Sequence, residues 1–204
     1  MGKNDKKNGR KNGFFFVKRG VIEEKDRDVY VYGSELLISE SICTLLVVCI
    51  SLCTGKLVET VIYLFTYIMI RVYAGGYHAS SHRNCIMIFN LGYVGVLYIM
   101  EILQYFGILK LLDILTLVAT IIIFVMELIE DLRKPLDEEE KFIYREKSRK
   151  RVLLFFLFII IMNRVFPQLK GKLCYGSIAI CEISLLLLVG YIKNRRLIYY
   201  RKMM

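Results

Sequence analysis

Arg71-Val72-Tyr73-Ala74-Gly75-Gly76-Tyr77-His78-Ala79-Ser80-Ser81-His82-Arg83-Asn84-Cys85 is a short, largely polar stretch set between two long apolar runs. The run that leads into it covers 57–74 and the run that leaves it 85–106. Each is close to the ~20 residues needed to cross a hydrocarbon core as a helix. A polar hinge with a span on either side belongs at a membrane edge, and that placement decides the fold class.

Four further apolar runs lie outward from this hinge, at 36–54, 108–128, 152–169 and 173–192. The links at 54–56, 106–109 and 169–172 are too short for anything but antiparallel hairpins, with Gly55, Gly107 and Gly171 expected to supply the turns. The expectation is an all-α, polytopic integral membrane protein with about six transmembrane helices. Span five, with Arg164 and Pro167 near its outer end, is the weakest of them. A four-span version, or a re-entrant pair in place of spans five and six, leaves the hinge on the same side.

The net charge of +10 would suggest a nucleic-acid partner if the cations lined one folded face. Here they fall in the gaps between apolar runs, which points to orientation in a bilayer and not to nucleic acid. The segment to residue 30 carries nine Lys and Arg, 131–151 carries eight, and the tail from 193 carries five. Both termini, the 131–151 link and the hinge are therefore expected on the cytosolic side of a bacterial cytoplasmic membrane. No cleavable signal is expected, because the first thirty residues lack an apolar core. Residues 1–28 read as a basic cytosolic segment, low in complexity to residue 13, ahead of a transmembrane domain over 29–204. Phe14 to Val17 with Val21-Ile22 reads equally as a short interfacial helix or as an untidy tail. In the 131–151 link, Asp137 followed by Glu138 to Glu140 marks a helix start. That link is either a solvated helical connector or a basic dock for an acidic partner.

Of the six cysteines, Cys43, Cys49, Cys53, Cys174 and Cys181 lie inside apolar runs, where cysteine behaves as a small hydrophobe. Cys85 alone stands where a polar segment meets an apolar one. Only a thiolate is a good nucleophile. Ser80 or Ser81 as N-cap would place Cys85 in the first turn of span three, where the positive end of the helix dipole favours the thiolate. His78 is a candidate base. In one continuous helix the two side chains would stand about 10 Å apart along the axis, too far for proton transfer. The pair Gly75-Gly76 suggests a break, so that His78 lies outside a helix beginning near Ser80 or Ser81. A rival reading takes His78, His82 and Cys85 as metal ligands, although a fourth ligand is not evident. Arg71 either holds a substrate carboxylate or pins the loop. Glu35 or Glu40 stands at a depth suited to orient the imidazole. Glu101, Asp113 and Glu182 lie in apolar runs, where ionisable groups are usually paired. Arg164 is a candidate partner for Glu101 or Asp113, and Gly92 and Gly95 suggest close helix packing.

Arg71, Gly75-Gly76, His78-Ala79 and Cys85 together resemble the signature of the AgrB family, the accessory gene regulator membrane peptidases of quorum sensing. Tyr32-Gly33-Ser34-Glu35 before span one agrees, as do Pro135-Leu136 and Glu138-Glu139-Glu140-Lys141. The resemblance implies a cysteine endopeptidase that removes the C-terminal tail of an AgrD-like propeptide. Cys85 would be the nucleophile, His78 its base, and a substrate Cys or Ser would close a thiolactone or lactone on the acyl-enzyme. Glu35, Arg71, Gly75, Gly76 and Ser81 would support the site, no metal or cofactor is expected, and a homodimer is implied. The competing class is a non-enzymatic membrane protein that binds metal or exports a peptide.

Overall fold

The computed structural model describes residues 27–76, 82–126 and 137–203, and among these it contains helices and no strand. Its elements run α1 (Arg27–Thr54), α2 (Leu57–Ala74), α3 (His82–Tyr105), α4 (Leu109–Val125), α5 (Glu138–Val165), a 3-10 turn (Pro167–Leu169) and α6 (Lys170–Met203). Every apolar run expected from the sequence falls largely on a helix. The basic segment 1–26 lies outside the described residues, as do Pro135 and Leu136.

Two of the three hairpin links are built as expected. Gly55 (φ +68°) and Gly107 (φ +66°) take the left-handed conformation that ends a helix without a Cβ clash. Across them, the Lys56 N–H donates to the Ser51 carbonyl at 3.0 Å and the Ile108 N–H to the Leu103 carbonyl at 3.1 Å. The third link differs. Gly171 sits inside the first turn of α6, and the chain turns instead at Phe166 and the 3-10 turn opened by Pro167. Proline suits that first position, where its missing N–H costs nothing.

Helix α5 also departs from the expected connector followed by a span. It is one helix of 28 residues that begins in the charged segment. Asp137 caps it, accepting from the Glu140 N–H at 2.7 Å, while the Glu140 carboxylate accepts from the Asp137 N–H at 3.4 Å. This reciprocal box satisfies two backbone donors left orphaned at the helix start. The charged half is helical but not merely solvated, since Ser148 and Val152 are buried against the bundle.

Among the described residues four helices are long and apolar enough to cross a membrane: α1 over Leu37–Thr54, α2 over Leu57–Ala74, α3 over Arg83–Tyr105 and α6 over Pro167–Arg195. Their outward faces carry Leu45, Phe65, Leu91, Tyr98 and Leu185, all exposed. A soluble monomer rarely leaves so much apolar surface uncovered. Lipid is the fitting solvent for it, and the chain is a multi-pass membrane protein.

The fold divides into two compact units, Met1–Ile50 with Ala79–Val94 and Ser51–His78 with Gly95–Met204. In the first, α1 turns Ser39, Cys43 and Val47 inward, at the i, i+4, i+8 spacing of one helix face. In the second, α6 is the core element and packs on α2, α4 and α5. Of its span 67% is buried, against 39% for α2, which makes α6 the centre of that unit. Helices approach closely at Gly176, where a Cβ would stand 3.0 Å from Ile159 Cδ1 and 3.2 Å from Thr66 Oγ1. Gly95, expected to mark close packing, has nothing within 4 Å of its Cβ position.

Polar contacts show how this second unit is strung. At one end Lys170 pairs with Asp113 at 2.9 Å, Lys56 with Glu101 at 3.6 Å, and Gln104 donates to the Gly171 carbonyl at 3.4 Å. The two carboxylates expected to pair with Arg164 thus use Lys56 and Lys170. Those lysines flank the hairpin turns, while Arg164 is exposed at the end of α5. At the other end Tyr73 and Ala74 of α2, Ile123 beside Met126 of α4, Arg145 and Ser148 of α5, and Leu187 of α6 line one small cleft. Arg149 donates to the Phe124 carbonyl at 2.9 Å and Arg151 to the Met69 carbonyl at 2.8 Å. The hairpin links therefore gather at one end, and the hinge and the basic half of α5 at the other.

Candidate active site

Cys85 is the fourth described residue of α3, half-buried and in no disulfide. The first four N–H groups of a helix have no partner within it and make its start electropositive. Helix α3 is described from His82 onward, and the expected start near Ser80 or Ser81 falls outside the described residues. Ser80, Ser81 and His78 themselves lie outside the described residues, as does the side chain of His82, so the His78–Cys85 pair and the rival metal set fall there too.

Cys85 belongs to the first unit, as do Glu40 and Cys43 of α1. Cys43 is buried, on the same inward stripe as Ser39 and Val47. The sequence reading treated it as one more small hydrophobe. The signal that would have singled it out is spacing: residues 39, 43 and 47 share one face of α1. Glu40 lies on α1 about one helical turn before Cys43. Glu35 lies on α1, with its side chain outside the described residues.

The second unit carries Arg71, Gly75 and Gly76. The Gly75 N–H donates to the Arg71 carbonyl at 3.2 Å and closes α2. Gly75 has φ +67° and Gly76 φ +122°, two consecutive conformations that L-residues rarely adopt. The expected break is therefore real. Arg71 folds over it: its Nη1 donates to the Gly75 carbonyl, and its guanidinium occupies the space that a Cβ on Gly76 would need. The same Cβ position lies 3.5 Å from the Leu186 carbonyl of α6. Of the two roles open to Arg71, pinning the turn is the one with a contact. A cation at a helix C-terminus also suits the negative end of its dipole.

Beneath this turn lies a polar core that the sequence reading did not connect to it. Tyr63 of α2, fully buried, donates its hydroxyl to Glu182 Oε2 of α6 at 2.6 Å. Glu182 stood out as a lone carboxylate in an apolar run, but no local pattern points to a partner 119 residues away.

A protein-family model described as Accessory gene regulator B matches residues 14–190 of the chain, beginning inside the segment 1–28 set apart above. No curated protein and no solved structure matches it.

Proposed function

Because the chain belongs to the accessory gene regulator B family, whose members take part in processing autoinducer peptides, we propose that it is a membrane-embedded cysteine endopeptidase. Its substrate in this reading is an AgrD-like propeptide, and its product a cyclic thiolactone or lactone. The observation that carries the reading is Cys85 as the fourth described residue of α3, on the far side of a glycine break that ends α2. Nucleophilic cysteines need such a partly exposed, electropositive setting, and structural ones do not.

The chemistry runs in two transfers. His78 takes the thiol proton, and Cys85 Sγ attacks the carbonyl carbon at the junction between signal core and tail. Backbone N–H groups at the start of α3 are suited to hold the developing oxyanion. His78 then returns the proton to the tail's nitrogen, the C–N bond breaks, and an acyl thioester on Cys85 remains. His78 takes the proton from the thiol or hydroxyl of a substrate Cys or Ser as it attacks that thioester, the acyl group passes to it, and Cys85 leaves as the thiolate, which recovers the proton from His78. Ring closure outruns hydrolysis if the anchored propeptide holds its nucleophile beside the acyl carbon and water is scarce at the membrane edge.

The topology that serves this chemistry has six spans, with both termini and the active site in the cytosol. Two observations favour reading α4 and α5 as spans beside the four long helices. Helix α4 runs from Asp113 at one end of the second unit to Phe124 at the other. Helix α5 contributes Arg149 at the hinge end and reaches Gly176 of α6 through Ile159. The Lys and Arg bias then places the hinge end inside. A homodimer remains part of this proposal.

The test is co-expression with an AgrD-like propeptide, with products read by mass spectrometry. Tail release should vanish in Cys85→Ala and in His78→Ala while both variants insert normally. Tail release at the unmodified rate in Cys85→Ala would end the proposal.

A further inference from the structure

The small cleft at the hinge end of the second unit takes no part in the chemistry above. Its walls come from α2, α4, α5 and α6, and none of its described lining residues is acidic. One of them, Arg145, carries a buried Nε–H that meets no hydrogen-bond partner among the described residues. A charged donor left in that state is costly, so it marks a place built for an acceptor. The guanidinium is a planar fork suited to an anionic oxygen, above all that of a phosphate. Ser148, buried in the same wall, adds a hydroxyl.

Three more cations stand around this cleft. The Tyr73 ring, which lines it, carries Arg151 at 4.1 Å and Lys147 at 5.5 Å. Arg149 lies over the Phe124 ring at 5.0 Å and donates to the Phe124 carbonyl, two residues before Met126 in the wall. Rings and carbonyls hold these cations in place without cancelling their charge. Among the described residues no carboxylate pairs with Arg145, Lys147, Arg149 or Arg151, whereas Lys150 pairs with Glu146 at 3.4 Å.

The cleft also stands at a definite height. Helix α2, long and apolar enough to cross a membrane, ends at Ala74, which lines it. Helix α4 ends at Val125, between the lining residues Ile123 and Met126. The end of a span of ~20 residues is where hydrocarbon gives way to headgroups. Val72 and Val125, next to the lining residues, are exposed apolar side chains. A phospholipid answers both features with one molecule, its phosphate meeting the cations and its acyl chains the valines. A hydrophilic acidic peptide would answer only the first.

We propose that this cleft seats the phosphate of an anionic phospholipid, with the Arg145 Nε–H donating to a phosphate oxygen and Lys147, Arg149 and Arg151 supplying the field around it. Basic pockets between spans on the cytoplasmic side bind such headgroups. The site stands whether or not the chain is an endopeptidase.

The experiment is native mass spectrometry of the full-length chain in detergent micelles, comparing bound phosphatidylglycerol with phosphatidylcholine of the same acyl chains. The wild type should retain phosphatidylglycerol at least about tenfold more tightly. Arg145→Gln should lose about 5- to 10-fold of that preference, the worth of one cation at a headgroup. Lys150→Gln removes the same charge from the same half of α5 but outside the cleft, and should change the preference less than about twofold. Equal losses in the two variants would mean diffuse attraction to a basic surface and would overturn the proposal, as would a wild type without preference. Equimolar inorganic phosphate, and in a separate arm an equimolar glutamate-rich peptide, is added to the wild-type complex. Retention of the lipid in both arms supports the proposal; displacement by either gives the cleft to that ligand instead and overturns it. Should Arg145→Gln not fold, phosphatidylglycerol with a photoreactive diazirine in its headgroup is crosslinked to the wild type. Label on residues 71–76 or 145–151 supports the site, and label confined to other segments refutes it.

Discussion

Replacing Gly76 by alanine tests whether the hinge geometry is a working part. At φ +122° an L-residue is strained, at a cost of about 1–3 kcal/mol. The new Cβ would also stand inside the Arg71 guanidinium, with the Leu186 carbonyl 3.5 Å away, so it is Arg71 that must yield. Giving up its hydrogen bond to the Gly75 carbonyl adds about 1 kcal/mol. The sum, about 2–4 kcal/mol, lowers the population of the native turn roughly 30- to 1,000-fold. If that turn places His78, the rate of tail release falls by a comparable factor. The assay is the initial rate in proteoliposomes by mass spectrometry, with thermal loss of helicity followed in parallel. Gly55→Ala is the matched control. It also has a positive φ, +68°, but nothing stands within 4 Å of its Cβ, and it lies at the hairpin end of its unit. It should lose about 1 kcal/mol of stability and no activity. Wild-type cleavage by Gly76→Ala, or equal loss in Gly55→Ala, would refute the reasoning.

Iodoacetamide should alkylate Cys85 faster than the buried Cys43 and Cys174, and His78→Ala should slow that reaction; peptide mapping after timed quenching reads both rates. Gly176→Leu should destabilise the second unit by about 1–3 kcal/mol or block its assembly, since even a Cβ there meets Ile159 at 3.0 Å, whereas Gly95→Leu, with open space around it, should melt like the wild type. Asp137→Ala removes the acceptor for the Glu140 N–H and should cost about 1 kcal/mol in a thermal melt, with Asp137→Ser recovering most of it.

How far the site was legible follows from the range of the interactions involved. The break at Gly75-Gly76 and the place of Cys85 near the described start of α3 are local matters, governed by φ angles and by where a helix begins, and residue type reports those directly. Arg71 was legible as a hinge residue but not in its role, because its contact depends on how the guanidinium folds back. The first unit joins Glu40 and Cys43 of α1 with Cys85 of α3, more than 40 positions on, and helical periodicity hints at one side of it only.

Composition and spacing were enough for an all-helical membrane chain, for tight glycine turns at 55 and 107, and for the capped start of α5, because hydropathy, conformational freedom and capping act within a few residues of their cause. Packing made the remaining choices. Gly171 became ordinary helix once Pro167 turned the chain ahead of it. Gly176, with Ile159 and Thr66 against it, became a point of close approach in place of Gly95. Asp113 and Glu101 took the lysines beside the hairpin turns and left Arg164 exposed. A charge or a small side chain finds its partner only when helices meet, and which helices meet is set by the whole bundle's need to bury its polar groups.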